Sequence, residues 1–289
     1  MFTLTSDSAI DVFRKTADEL GVGVVPLTYT IDGVSHEDFA IDESEYKKFY
    51  DGLKNGSMPV TSQINPFNHE EFWEEIYKKE KKDIVHISLS SGLSQTYASA
   101  CKGAESFNEK HADAKVYVVD SLGATQAETP ILEKGIELRD SGVKASVAAE
   151  EMRAYAHRIQ VYIVVDDLFH LKRGGRINAV SAMIGTVIGI KPIIIFNDEG
   201  KLSVYKKPVG WKKALKTVLD HIAEHCPDAS NKKIWLAHAD AIEKVEEAKA
   251  AIEKRFDSTV QIGWIGPVIG SHINRGTVGF VFEGNSRLN

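Results

Sequence analysis

The chain has little cysteine, no long apolar run and no excess of basic residues, and each shortage removes a class of protein. Its two cysteines, Cys101 and Cys226, lie far apart in segments of helical spacing. That is too few for a disulfide framework or a thiolate metal centre, and it suits buried thiols in a reducing compartment. No apolar stretch approaches the ~20 residues that cross a bilayer. The start, Met1 to Ser8, carries neither a basic leader nor a small-residue cleavage pattern, so no export signal is expected and a cytoplasmic location is. The 35 Lys and Arg are outnumbered by 41 Asp and Glu, giving a net charge of −6, the wrong sign for a nucleic-acid binder. A Walker A spacing is missing as well, which argues against ATP binding by this chain.

What is present reads as a globular α/β protein. The 289 residues, 43% hydrophobic and 26% charged, suit about two domains. In the first half, short β-branched runs (Phe2–Thr5, Gly23–Leu27, Tyr29–Ile31, one beginning at Ile84, Lys115–Val119) alternate with helical spacing over 8–20, 44–52, 66–79, a stretch ending at about Lys110, and 129–142. Alternation of this kind predicts βαβ units and a parallel sheet with helices on both faces. From about Tyr162 the pattern shifts to strands at 162–165, 192–196, 201–205, 233–238, 260–265 and 278–282, with helices over 178–188, 209–226 and 241–256. We therefore expect an α/β/α domain over 1–160 and a two-layer α/β domain with a mixed sheet over 161–289.

The segment Ile84 to Tyr97 holds the most chemistry. A β-branched run ends in a turn crowded with hydroxyls, and a helix follows directly. The first N–H groups of a helix lack partners and sit at its positive end, so a carboxylate or phosphate would be welcome there. The same serines would also serve simply to cap the helix. Similar motifs, Thr5-Ser6-Asp7-Ser8, Thr61-Ser62-Gln63, Asp120-Ser121 and Ser271-His272, fall where strands should end. In an open parallel sheet the ligand crevice lies beyond the carboxyl ends of the strands, so such loops can converge. Gly92-Leu93-Ser94-Gln95-Thr96 lacks the second glycine of a nucleophile elbow, which weighs against a serine hydrolase.

Further along, Lys172-Arg173-Gly174-Gly175-Arg176 sets paired glycines between cations, either an anion-binding loop or an exposed turn. The run Ala179 to Ile195, with Met183, Ile184, Val187, Ile188, Ile190, Ile193 and Ile194, suits a packed core and a greasy tunnel equally. Lys201, Lys206, Lys207, Lys212, Lys213 and Lys216 form a basic island, a solvated face or a dock for an acidic partner. His238-Ala239-Asp240 lacks a complete metal-ligand set and is read as structural.

Taken in order, T-S-D-S at 5–8, V-P-L-T at 25–28, T-S-Q at 61–63, L-S-S-G-L-S-Q-T-Y at 89–97, V-V-D-S at 118–121, L-K-R-G-G-R-I at 171–177 and I-K-P-I at 190–193 resemble the DegV family over essentially the whole chain. Members of that family are bacterial fatty-acid-binding proteins that carry a fatty acid for phosphorylation by a separate fatty acid kinase. The resemblance implies an acyl chain buried between or beneath two α/β domains. By matching position it implies a carboxylate held by Thr61 and Ser94, with Ser62 close by and His272 near the head group. It assigns Arg173 and Arg176 to the kinase or the acyl phosphate. No cofactor and no metal are implied, and no stable membrane insertion. Three departures stand out: Gln95 replaces the glycine of L-S-G-T-Y, Arg275 adds a cation to the tail after His272, and Lys207 stands nearest to the arginine often found after the Tyr205 strand. The rival readings are an enzyme for a small anion with Ser94 or His272 catalytic, and a lipid sensor without a kinase.

Overall fold

The computed structural model describes residues 2–166, 168–177, 189–226, 229, 232–285 and 287. The helix expected over 178–188 and the apolar residues Met183, Ile184, Val187 and Ile188 lie outside the described residues.

Four parallel strands build the first sheet: β1 (Thr3–Asp7), β2 (Val22–Val25), β6 (Ile84–Ser88) and β7 (Val116–Asp120), in the order β2-β1-β6-β7. Strand residues alternate between its faces. Ile84, Val116 and Val118 pack under α3 (Pro66–Glu80) and α4 (Thr96–Lys110) with Trp73 and Phe107. Val85, Ile87 and Val119 face the opposite layer, where α5 (Thr129–Asp140) and α6 (Ala145–Ala156) supply Leu132, Leu138, Ala148 and Met152. Burial on both faces explains why these strands read as continuous apolar runs. This half departs from the sequence reading in places, α6 among them. The helix expected from Ser8 is a single 3-10 turn over Ser8–Ile10, capped by Asp7, and the α-helix α1 (Arg14–Leu20) follows it. Ser8 instead accepts the N–H of Leu27 at 2.9 Å.

The strand expected at Tyr29–Ile31 does not join the parallel sheet. It is β3 (Thr28–Ile31), which turns at Asp32-Gly33 into β4 (Val34–Glu37) and pairs on its other edge with β5 (Val60–Ser62). A two-residue Asp-Gly turn matches the twist of adjoining strands and closes such hairpins. Between β4 and β5 runs α2 (Glu43–Lys54), capped by Asp42, which accepts the Ser44 N–H at 2.8 Å. This small antiparallel sheet holds Thr61 on its β5 edge.

The remaining strands form a six-stranded mixed sheet, ordered β10-β9-β8-β13-β11-β12. Here β8 is Ile159–Val164, β9 Ile193–Phe196, β10 Leu202–Lys206, β11 Lys233–His238, β12 Thr259–Trp264 and β13 Val278–Glu283. One face packs Tyr162, Val164, Leu236, Phe280 and Phe282 against α8 (Trp211–His225) and α9 (Ile242–Phe256). The other face turns toward the first half of the chain. Short helices α7 (Phe169–Arg173) and α10 (Pro267–Ile273), neither expected from the sequence, pack together beside it.

Candidate functional site

Between the free face of the mixed sheet and the loops after β2, β6 and β7 lies a cavity of about 530 Å³. That volume falls within the roughly 300–1,000 Å³ of small-molecule sites. Its wall is largely hydrocarbon: Leu27, Leu89 and Ala124 from the loops, Val161, Ile163, Phe196, Leu202, Ala237 and Val281 from the mixed sheet, and Ile265, Val268, Ile269 and Ile273 around α10. The loops that contribute follow the carboxyl ends of parallel strands, where open α/β sheets keep their ligands.

Hydroxyl, amide and imidazole groups complete the wall. Thr61, Ser62 and Gln63 come from the end of β5, Ser91, Ser94 and Gln95 from the turn before α4, and His272 from α10. Thr61 Oγ1 lies 2.9 Å from Nε2 of His272, so β5 and α10 meet at one hydrogen bond. Behind His272 sits the backbone of Gly174, so close that a Cβ there would stand 2.2 Å from Nδ1. Gly174 thus leaves room for the imidazole, and Gly175 beside it lines the cavity. Burial, together with the nearby Arg176, Arg173 and His170, holds the His272 pKa down to about 4. At neutral pH the ring is therefore uncharged and can donate or accept one hydrogen bond.

The turn before α4 is held from several directions. Asp7 accepts the Leu89 N–H at 2.8 Å and the Ser88 hydroxyl at 3.1 Å, while Asp120 accepts the Ser91 N–H at 3.1 Å. Ser90 donates to the Gly200 carbonyl at 2.7 Å, and Gly92 lies flat on the same β9–β10 turn, where a Cβ would come within 2.4 Å of Gly200. Ser94 accepts the Thr96 N–H at 3.1 Å and shares a 2.9 Å hydrogen bond with the Thr96 hydroxyl. Ser94 thus closes the helix turn, as a capping serine would, and also lines the cavity. The motifs at 5–8 and 120–121 do not line it but hold the segments that do.

The two arginines separate. Arg176 lines the cavity and donates to the carbonyls of Leu93, at 3.3 Å, and Gly174; desolvation lowers its pKa. Arg173 lies outside the wall and donates to the carbonyls of Pro59 and Ser271, at 3.2 and 3.3 Å, bracing the segments that bear Thr61 and His272. Arg275 departs from its expected place beside the head group: it is ion-paired with Asp240 and is absent from the wall. That pairing also removes Asp240 from any metal site with His238, whose ring packs on Trp264. Thr125, which the sequence reading missed, lines the cavity at φ 57°. A β-branched residue in that region is strained, and no sequence pattern announces it.

Fold and cavity together define an α/β protein of a parallel and a mixed sheet enclosing an apolar chamber with a polar cluster in its wall. The family profile described as "Uncharacterised protein, DegV family" matches residues 1–285, and this chain belongs to the DegV family. It is 32% identical to a DegV domain-containing protein of Clostridium perfringens over 99% of this chain and 98% of that one. Among solved structures it resembles a DegV lipid-binding protein from Thermotoga maritima, at 26% identity, TM-score 0.87 and full coverage of both chains. It also resembles a DegV family protein from Thermus thermophilus described for fatty acid binding, at 25% identity and TM-score 0.86 over 98% of this chain and 99% of that one.

Proposed function

We propose that this chain binds a long-chain fatty acid in the 530 Å³ cavity and presents its carboxylate to a separate kinase for conversion to the acyl phosphate. The observation that carries this is the pairing of a hydrocarbon wall with a polar cluster: Thr61, Ser62, Ser94, Gln95 and His272 all reach the one cavity. Each buried CH₂ contributes ~0.8 kcal/mol, so the acyl chain supplies most of the affinity. Neutral hydroxyls and a neutral imidazole then orient the carboxylate without a full ion pair, which leaves an oxygen able to attack a phosphoryl group. The exposed Gln95 takes the place of a family glycine and adds an amide at that entrance. Arg176 supplies positive charge in the wall, and Arg173 faces the partner. The chain acts as a cytoplasmic carrier rather than a catalyst, and no helix among the described residues is long and apolar enough to cross a membrane.

The enzyme reading has weaker support. A serine nucleophile needs a base in hydrogen-bond reach. The Ser94 hydroxyl is engaged with Thr96 and the His272 Nε2 with Thr61. Mass spectrometry of lipid extracted from the purified protein tests the carrier directly: a stoichiometric fatty acid is expected. Recovery of none, with ester turnover abolished by Ser94→Ala, would replace the carrier by the enzyme. A fatty acid kinase with ATP then separates carrier from sensor, since only a carrier yields acyl phosphate.

A further inference from the structure

The last turn of α8 gathers three side chains that the cavity does not use. His221, Glu224 and His225 stand at i, i+3 and i+4, so the helix presents them on one face. Among the described residues they are the one group of His, Cys and acidic side chains whose ligand atoms cluster, each within 4.8 Å of the others. A Glu224 carboxylate oxygen lies 3.8 Å from Nδ1 of His221 and 3.8 Å from Nε2 of His225. Donors round a zinc ion at about 2.0–2.2 Å stand roughly 3.3–3.6 Å apart, so the three groups would close in and the His225 ring, now parallel to that of His221 at 5.6 Å, would turn toward the ion.

Three further observations point to an ion rather than to ordinary packing. His221 is 7% exposed, and its Nδ1 is buried without a hydrogen-bond partner while facing the other two groups. Its other nitrogen lies against the Tyr205 hydroxyl, the outer contact that fixes the ring of a metal-bound histidine. Glu224 and His225 remain open to solvent at 67% and 25% side-chain exposure, so an ion has a way in. The site also caps the negative end of a helix dipole, which favours a cation. Lys206 Nζ, an opposing charge, sits 3.2 Å from Nε2, the nitrogen not offered to the cluster.

We infer that His221, Glu224 and His225 bind a divalent transition ion of the zinc class, leaving a fourth position to water. Nε2 of His221 meets the Tyr205 hydroxyl, so the site lies where β10 packs on α8. The ion would thus brace the edge of the mixed sheet on the side away from the cavity.

Titration of the untagged, metal-free full chain with zinc chloride by calorimetry tests this, with cobalt(II) absorption as a second readout. One saturable equivalent is expected, with visible cobalt bands and a zinc-dependent rise in Tm. His221 stacks on Tyr162, so the solvent-open ligands carry the mutational test. His225→Ala should weaken zinc at least tenfold and abolish the cobalt bands, since even second-layer changes cost roughly 10–100-fold. Glu224→Gln should weaken zinc as well, and both variants should keep wild-type circular dichroism and fatty-acid binding. Failure of the wild type to saturate, or an unchanged zinc isotherm in His225→Ala, would overturn the site.

Discussion

The two faces of the mixed sheet are built from the same strands and do opposite things. Toward α8 and α9, β8 and β13 present Tyr162, Phe280 and Phe282, with the Tyr162 and Phe282 rings stacked at 5.9 Å. One residue along in each strand, the side chains shrink to Val161, Gly279 and Val281, with Ala237 beside them on β11. A protein interior is normally filled to crystal density. The first face obeys that rule, and the second holds back hydrocarbon to keep 530 Å³ open. Apolar patterning marks both as buried, and side-chain size alone separates a core from a chamber.

The sharpest break of this comparison exchanges the properties of the two faces. Phe280→Ala, on the filled face, should cost about 3–5 kcal/mol of stability, measured by urea denaturation of ligand-free protein. Gly279→Leu, one position away, should lower stability much less, because its Cβ displaces only Ala237, a tight 3.3 Å away, before the side chain enters the cavity. Its cost should appear as at least a tenfold loss of fatty-acid affinity in a fluorescent-acid displacement assay. Wild-type binding by Gly279→Leu would mean that the lipid lies elsewhere.

How much of this was legible from sequence follows the same division. Local periodicity located most strands and helices, because alternation and helical spacing are properties of contiguous residues. It missed the separate β3-β4-β5 sheet, whose partner strand arrives only at Val60, and the short α7 and α10, which tertiary contacts stabilise. In the site, Thr61, Ser62, Ser94, Gln95 and His272 were found by motif and do line one cavity. The contacts of the cations were not legible: Arg176 lines the cavity, Arg173 donates to two carbonyls and Arg275 pairs with Asp240. Each depends on a neighbour more than 30 residues away. Thr125 was missed because its positive φ is imposed by the fold.

Within the chamber, the hydrocarbon and polar portions should respond differently. Thr61→Ala and Ser94→Ala should each weaken fatty-acid binding by ~1–3 kcal/mol, the range for removing a partner from a buried charged group. Shortening the acid should instead lose ~0.8 kcal/mol per CH₂ until the chain no longer fills the cavity. A direct binding titration over both series separates the contributions. Unchanged affinity in both hydroxyl variants would move the carboxylate to another part of the wall.

The smallest expected effect concerns carboxyls behind the chamber, a polar feature that the filled face does not share. Asp7, Asp11 and Asp38 are buried, and Asp38 accepts the Val268 N–H at 3.1 Å where α10 begins. Desolvation pushes the pKa of Asp7 up to about 6 and that of Asp38 up to about 7, and desolvation with the Asp38 charge raises that of Asp11. All three are raised above the unfolded value near 3.8, so the folded state binds protons more tightly than the unfolded chain. The contribution of Asp7 and Asp38 is fully present below that value and is lost as pH climbs through about 6 and 7. Asp11 presses on the Gly266 backbone, and neither of its oxygens makes a well-aligned hydrogen bond. Asp11→Asn removes an acid whose ionisation the folded state resists, and it should raise stability at pH 8 by about 1 kcal/mol while flattening the fall between pH 5 and 8. Urea titrations of ligand-free protein at those two pH values measure both. A variant less stable than wild type at pH 8 would mean that the Asp11 carboxylate is held in place by its charge, and that the chamber depends on this acid rather than merely tolerating it.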